Sequence, residues 1–189
     1  MTGRAPVPEA PIEETDEGRV AAGDGWFVLN ATEARWRERP ERGFSLPFDG
    51  RASFGQVCVL LYVLGPGEPI GMYHWEADQE DFLVLSGEGV LIVEGEERPL
   101  RQWDFVHCPP GTDHMIVGAG AGPCTLLAVG AQGNQTPDGW GGYTVDETAA
   151  RHGVSVERET SDVGEAYARF ADPFPARYGG WLPTDPAST

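Results

Sequence analysis

The side chains in this sequence most suited to chemistry are two histidines and two glutamates, His74, Glu76, Glu80 and His114. Side chains alternate along a β-strand, so His74 and Glu76 are predicted to point to the same face, and Glu80 keeps that parity beyond a short bend. His114 follows a Pro-Pro-Gly turn that is predicted to begin another strand. If the two strands pair inside one barrel, two imidazoles and two carboxylates converge.

Such a group of four can exist in two forms. Two carboxylates that lie close together in a poorly solvated cavity cannot both stay ionised unaided, so either one holds a proton or a cation lies between them. Neutral imidazoles carry no charge but are good metal ligands. A divalent cation would use all four side chains, and their nitrogen and oxygen donors suit iron(II), manganese, nickel or zinc.

Short strands are the elements predicted to position these side chains. The 189 residues include 26 Gly and 16 Pro, which divide the chain into brief apolar segments and do not suit a helical bundle. Strands are predicted at 56–64, 72–76, 81–86, 90–94, 98–101, 104–108, 114–117 and 124–129. Regular short strands with Gly and Pro between them indicate an all-β sandwich or barrel.

The sequence divides into three parts. Residues 1–24 are acidic and Pro-containing with few large apolar groups, and they are predicted to form a disordered N-terminal arm. Residues 25–130 are predicted to form the barrel. Residues 131–189 are predicted to form an extension with short helices and a tail rich in Pro and aromatic residues, which packs on the barrel or on a partner subunit.

Three local predictions accompany this division. Helices are predicted to begin near Thr144 and Asp162, each of which precedes a glutamate by three residues, the spacing of a capping box. The arginine-rich segment 33–42, which includes Trp36, is predicted to be a solvated strand and turn.

The charge composition excludes several functions. The chain has 30 acidic residues and 13 basic ones, a net charge of −17, and every basic residue is an arginine. Without a lysine ε-amine there is no Schiff-base lysine, pyridoxal phosphate anchor or P-loop lysine. The acidic excess argues against nucleic acid and anionic membranes as partners. The 3 cysteines, an odd number without CxxC spacing, and the absence of an apolar leader predict a reduced, cytoplasmic protein.

The distribution of basic residues bears on the counterion for Glu76 and Glu80. Between residues 52 and 97 the sequence has no arginine, so no local basic side chain is available to neutralise them. A metal held with His74 and His114 is therefore the expected counterion. An arginine folded into the cavity from elsewhere in the chain would remove this argument.

Residues 55–130 resemble the cupins, a family of small jelly-roll barrels, also described as double-stranded β-helices. The first cupin motif resembles G-x5-H-x-H-x3,4-E-x6-G, in which His74, Glu80 and Gly87 take the positions of the first histidine, the glutamate and the final glycine. The second resembles G-x5-P-x-G-x2-H-x3-N, matched by Pro109, Gly111 and His114. The resemblance implies a cupin-type barrel in which His74, Glu80 and His114 are metal ligands.

The chain departs from these motifs at four places. Glu76 takes the position of the second histidine, Trp103 that of a glycine and Gly118 that of the asparagine, and Gly67 lies one position early for the first glycine. Relatives tolerate a carboxylate at the position of Glu76. Glu76 is therefore predicted as a fourth metal ligand, or as a catalytic carboxylate beside the metal. His107 is predicted to be an ordinary barrel residue.

Three functions follow from the site and the resemblance. The first is an enzyme that acts on a small molecule at a divalent transition metal, because the family includes dioxygenases, decarboxylases and isomerases. The alternative is a non-catalytic module that binds a metal or a small ligand in the barrel. A third function is an interaction scaffold, because many cupins form homodimers.

Overall fold

Within the described residues the chain forms two large antiparallel β-sheets and a separate two-stranded one, and the predicted all-β jelly-roll architecture is confirmed. The structure is a computed structural model and describes residues 5–51, 54–134, 136 and 139–183. The larger sheet contains, in spatial order, β10 (Phe105–Cys108), β7 (Glu80–Ser86), β12 (Cys124–Ala131), β5 (Val57–Leu64), β4 (Phe44–Pro47), β3 (Trp36–Glu38) and β14 (Phe174–Ala176). The smaller sheet contains β13 (Gly141–Tyr143), β6 (His74–Glu76), β11 (His114–Ala119), β8 (Glu88–Val93) and β9 (Glu96–Arg101).

The hydrophobic core fills the space between these sheets. Phe82 and Val84 of β7, with Leu126 of β12, come from the larger sheet, and Leu91 of β8 and Ile116 of β11 come from the smaller one. All five side chains are buried in one cluster. Because strand side chains alternate, the same alternation that fills this core also directs a polar set into one end of the space between the sheets.

The N-terminal segment differs from the predicted disordered arm. Strands β1 (Ile12–Thr15) and β2 (Gly18–Ala21) form an antiparallel hairpin, in which Ala21 is buried. Arg19 of β2 donates its backbone N–H to the Glu33 carbonyl oxygen at 2.9 Å, and its own carbonyl oxygen accepts from the Arg35 N–H at 3.0 Å. A backbone partner distant in sequence therefore orders a segment whose own apolar content is low.

The two short helices agree only in part with the predicted caps. Helix α2 (Val163–Ala166) begins as predicted, because Asp162 accepts a hydrogen bond from the Glu165 N–H at 3.0 Å. The cap predicted for the other helix is wrong. Helix α1 (Glu147–Arg151) is capped by Asp146, whereas the Thr144 hydroxyl donates to an Asp113 carboxylate oxygen at 2.7 Å.

Neither α1 nor α2 is long enough to cross a bilayer, and the described residues contain no membrane-spanning helix.

The arginine-rich segment forms the predicted strand, β3, and the predicted turn, but it is not solvated throughout, so that part of the prediction is wrong. Trp36 has no exposed surface, and Arg39 and Arg42 are only 6% and 7% exposed. The C-terminal tail covers this segment, because β14 pairs with β3 and the Trp181 ring contacts the Trp36 ring with centroids 5.6 Å apart. The aromatic tail therefore packs within its own chain.

Trp36 should accordingly be a major source of stability. We expect Trp36→Ala to lower the free energy of unfolding by about 3–5 kcal/mol, because it removes a fully buried aromatic side chain and leaves a cavity. Denaturant unfolding followed by circular dichroism would measure the loss. Val28→Ala is the matched control, since Val28 is 83% exposed and its truncation should change stability by less than about 0.5 kcal/mol. Equal effects of the two substitutions would contradict the packing described above.

Candidate metal centre

Three of the predicted site residues each open a strand at the same end of the barrel. His74 begins β6, His114 begins β11, and these two residues are directly opposite one another in the smaller sheet. Glu80 begins β7 in the larger sheet. The imidazoles and the carboxylate therefore approach each other from facing sheets, which the spacing of the motifs along the chain does not specify.

Both imidazoles are held in the same way by the backbone. Nδ1 of His74 is 2.8 Å from the carbonyl oxygen of Met72, and Nδ1 of His114 is 2.9 Å from that of Thr112. A carbonyl oxygen can only accept, so each Nδ1 carries the proton that it donates. Each Nε2 is thereby directed away from the backbone, toward the cavity, in the orientation that metal-binding histidines adopt.

The donor atoms of His74, Glu80 and His114 form a compact group. All three lie within 4.8 Å of one another, and Nε2 of His114 is 3.0 Å from a Glu80 carboxylate oxygen. Burial lowers the pKa of His114, but hydrogen bonds with Cys108 and Glu80 outweigh it and raise this pKa well above the ordinary value. A metal at this position would replace the proton on Nε2, as it does when any histidine becomes a ligand.

Glu76 lies beside this group. One of its carboxylate oxygens is 3.4 Å from Nε2 of His74, and its side chain lines the same cavity. Strand β6 places His74 and Glu76 on one face, as their spacing predicts. The group of three within 4.8 Å does not include Glu76, so its carboxylate lies next to the donor set without belonging to it.

The cavity around these side chains is small and largely aromatic. Its volume is about 180 Å³. The rings that line it are those of Tyr62, Phe82, Trp140, Tyr143 and Tyr167. Phe82 lines this cavity, whereas Tyr73 points elsewhere and accepts a hydrogen bond from the Gly95 N–H at 3.0 Å.

The C-terminal extension supplies three of these rings, which the sequence analysis did not identify. Trp140 and Tyr143 reach the cavity because β13 pairs with β6, and Tyr167 follows α2 and accepts a hydrogen bond from the Met72 N–H at 3.1 Å. The only sequence signal was the unusual density of aromatic residues after Gly130. Pairing between distant segments was needed to assign them to the site.

Two arginines approach the cavity but do not line it. The guanidinium of Arg39 lies 4.7 Å from the centroid of the Tyr62 ring, and that of Arg42 lies 4.8 Å from the Tyr167 ring. Both tyrosines are wall residues of the cavity, so the guanidinium groups stand behind the wall. The charged neighbour that the structure gives Glu80 within 4.0 Å is His114. A protonated His114 is therefore the counterion that the structure gives Glu80, and the sequence argument that only a metal can neutralise this carboxylate does not hold.

The remaining candidate side chains lie elsewhere. His107 is half-exposed on β10, where its Nδ1 is 2.6 Å from an Asp81 carboxylate oxygen, as expected for an ordinary barrel residue. Cys108 and Cys124 are buried, and burial raises the pKa of the Cys124 thiol to about 11. The Cys124 thiol is therefore a poor nucleophile at neutral pH.

Comparison with known proteins agrees with this geometry. Residues 60–130 match the family model of the cupin domain. The chain contains a cupin domain. The matched segment carries all three donor residues of the candidate centre. Strands β3, β13 and β14 lie outside it.

Individual relatives are similar to part of the chain. An oxalate-binding protein of Thermotoga maritima is 32% identical over 66 residues, which cover 35% of this chain and 54% of that protein. A putative sugar phosphate isomerase from Acidithiobacillus ferrooxidans is 25% identical, with a TM-score of 0.44, over 49% of this chain and 62% of the other. A sugar phosphate isomerase of the cupin superfamily from Silicibacter pomeroyi is 29% identical, with a TM-score of 0.43, over 47% and 59%. The chain thus spans about half the length of the curated relative it matches.

The structure explains two departures from the cupin motifs. Trp103, at the position of a glycine, has a φ of 74°, so the left-handed backbone that favours glycine is kept although the residue has changed. At Gly118, which replaces an asparagine, a Cβ atom would lie 2.3 Å from the carbonyl oxygen of Gly65. The neighbouring loop approaches too closely for any side chain at this position.

Metal loading tests the candidate centre directly. We expect chelator-treated protein to take up about one equivalent of manganese, iron, nickel or zinc, and to melt at a higher temperature when loaded. His74→Ala and Glu80→Gln should each weaken binding by more than about tenfold, the effect expected even for a group that only orients a ligand. Elemental analysis and differential scanning fluorimetry measure both quantities.

The matched control for metal loading is His107→Ala. It removes an imidazole from the same barrel without touching the cavity and should leave loading unchanged. Equal loading of the wild type and of His74→Ala would exclude the candidate centre.

Proposed function

We propose that this cupin domain binds a divalent transition metal through His74, Glu80 and His114, and that a small molecule binds at this metal. The observation that carries the proposal is the common orientation of the two imidazoles: each Nδ1 donates to a backbone carbonyl oxygen, which leaves Nε2 for a metal. The Glu80 carboxylate from the facing sheet completes a set of two nitrogens and one oxygen. Such sets leave coordination positions open for a ligand.

The donor set fits iron(II), manganese, nickel or zinc. A carboxylate and neutral imidazoles are ligands of intermediate hardness, and no thiolate points to a softer metal, since Cys108 is engaged with His114. When bound, the metal would supply Lewis-acid polarisation of a coordinated oxygen. The protein side chains then bind and orient the small molecule, and the aromatic wall limits the access of water.

Glu76 is proposed as the catalytic carboxylate of this site. It lines the cavity and lies 3.4 Å from His74, so it is positioned to receive or donate a proton next to a molecule bound at the metal. Alternatively, Glu76 would be a fourth metal ligand and would occupy one coordination position. A carboxylate that leaves the metal when a substrate arrives would serve both purposes.

A small carboxylic acid such as oxalate is the proposed ligand class. The relative in Thermotoga maritima, which is 32% identical over 66 residues, is named for binding oxalate. A cavity of about 180 Å³ is smaller than the ~300–1,000 Å³ typical of sites for drug-sized ligands, so a compact molecule is favoured. Oxygen donors of a carboxylate also suit the open positions of the proposed metal.

A non-catalytic binding module is the second candidate. The small cavity and the name of the Thermotoga maritima protein both favour binding without turnover. In that case Glu76 would contribute to affinity rather than to a proton transfer. A reaction class, whether oxidoreductase, lyase or isomerase, is proposed only for the case in which the protein is an enzyme.

Titration of the manganese-loaded protein with oxalate separates these functions. We expect saturable binding by calorimetry that is lost after treatment with a chelator. If Glu76 transfers a proton, Glu76→Gln should retain oxalate affinity within about threefold while any consumption of oxalate falls by about a hundredfold or more. Glu88→Gln, at an exposed position, is the control.

The outcomes of this titration are distinct. Binding without consumption by the wild type would support the binding module. A metal-loaded protein that binds neither oxalate nor the longer malonate would contradict the proposed ligand class.

We further propose that the protein forms a homodimer through strand β10, which is an edge of the larger sheet. Phe105 on β10 is 64% exposed and Trp103 just before it is 67% exposed, and an edge strand with apolar side chains can pair with a second copy. Sedimentation should show a dimer that Phe105→Glu converts to a monomer, whereas Val28→Glu, at another exposed apolar position, should not. A cytoplasmic location and the absence of nucleic-acid and membrane partners stay predictions.

A further inference from the structure

A second cavity lies next to the metal centre and contains a buried cation. Its volume is about 560 Å³. Tyr143 and Tyr167 line both this cavity and the smaller one around His74, so the two tyrosines form a shared wall. On the outer side of that wall the lining includes Arg42, which no motif and no comparison assigns to a function.

The guanidinium of Arg42 lacks a counterion. Arg42 is only 7% exposed, and its Nε is buried without a hydrogen-bond partner. Across the described part of the chain, no carboxylate oxygen lies within 4.0 Å of this guanidinium. Asp172 lines the same cavity but is exposed and forms no such ion pair. The Arg42 guanidinium packs against the rings of Tyr167 and Phe170, each with its centroid 4.8 Å away.

A second guanidinium strengthens the positive charge at this place. Arg39 is also buried, and it donates to the carbonyl oxygens of Ile70 and Arg42 rather than to a carboxylate. Burial lowers the pKa of Arg39 to about 10, which still leaves it charged at neutral pH. Glu68 acts on Arg39 from a distance, but its carboxylate accepts the Gly65 N–H at 2.7 Å.

The absence of a paired acid at this place has a physical cost. Burying a charge is unfavourable unless a partner of opposite charge or hydrogen bonds compensate it. Contact with an aromatic ring offsets part of that cost but satisfies no in-plane N–H donor. The chain has 30 acidic residues, yet within the described ranges none pairs with Arg39 or Arg42. A bound anion would supply the missing partner.

We infer that the cavity lined by Arg42 is a binding site for a small organic anion. The ligand would present a carboxylate or a phosphate to the guanidinium, whose planar fork of N–H donors can bind two oxygens of either group. The rings of Tyr143, Tyr167 and Phe170 would cover the apolar part of the molecule. This site is separate from the proposed metal and does not depend on it.

The test uses inorganic phosphate and benzoate as probes of the two anion chemistries. Each is titrated into the whole protein at constant ionic strength, with sodium chloride as the balancing salt, because screening alone stabilises a chain of net charge −17. We expect at least one probe to raise the melting temperature in a saturable manner. Arg42→Gln should weaken the apparent affinity by about tenfold or more, since the charged donor is lost.

Two further variants locate the site. Arg169→Gln is the matched control, because the Arg169 guanidinium lies 4.4 Å from the same Phe170 ring but does not line this cavity. It should bind the probe like the wild type. His74→Ala should also retain binding, which separates this site from the metal centre.

A third variant keeps the test decisive if Arg42→Gln does not fold. Val163 lines the cavity at the start of α2 and is 53% exposed, so Val163→Glu should fold normally while placing a competing carboxylate beside Arg42. It should weaken probe binding. The inference is overturned if neither probe binds beyond the effect of chloride. It is also overturned if binding persists in Arg42→Gln, or in Val163→Glu when Arg42→Gln is unfolded.

Discussion

The hydrogen bonds from the two cavity imidazoles to backbone carbonyl oxygens constrain everything else in the candidate centre. For both His74 and His114 the acceptor is the carbonyl oxygen two residues earlier. The short segment that leads into the strand therefore also fixes the orientation of the imidazole ring. Their Nε2 atoms can meet Glu80 only if the two sheets stay in register across the core. The residues that pack the barrel, such as Phe82 and Ile116, therefore also set the geometry of the site.

Charge is arranged in layers around this centre. The inner layer is acidic, with Glu76 and Glu80 facing the histidines. Behind a wall of tyrosines lies a basic layer formed by Arg39 and Arg42, each stacked on a ring that lines the cavity. Because rings separate the layers, the arginines are not direct partners of Glu80, and Arg42 lines a different cavity.

The C-terminal extension completes both the fold and the cavity. Strand β13 adds Trp140 and Tyr143 to the site, and strand β14 with Trp181 covers the otherwise exposed Trp36. A barrel made only of the residues that match the family model would lack these strands and rings. Residues outside the segment that matches the family model thus contribute three of the rings that shape the cavity.

The sequence by itself determined the strand-rich fold, the parity of His74 and Glu76, and the two segments that carry the donor residues. These depend on local periodicity and turn chemistry, which neighbouring residues encode. Only the tertiary structure decided that Glu80 faces the histidines from the opposite sheet, that Tyr167 walls the cavity and that Arg42 is buried. Those features depend on contacts between segments far apart in the chain, and burial there follows from what covers a residue rather than from its type.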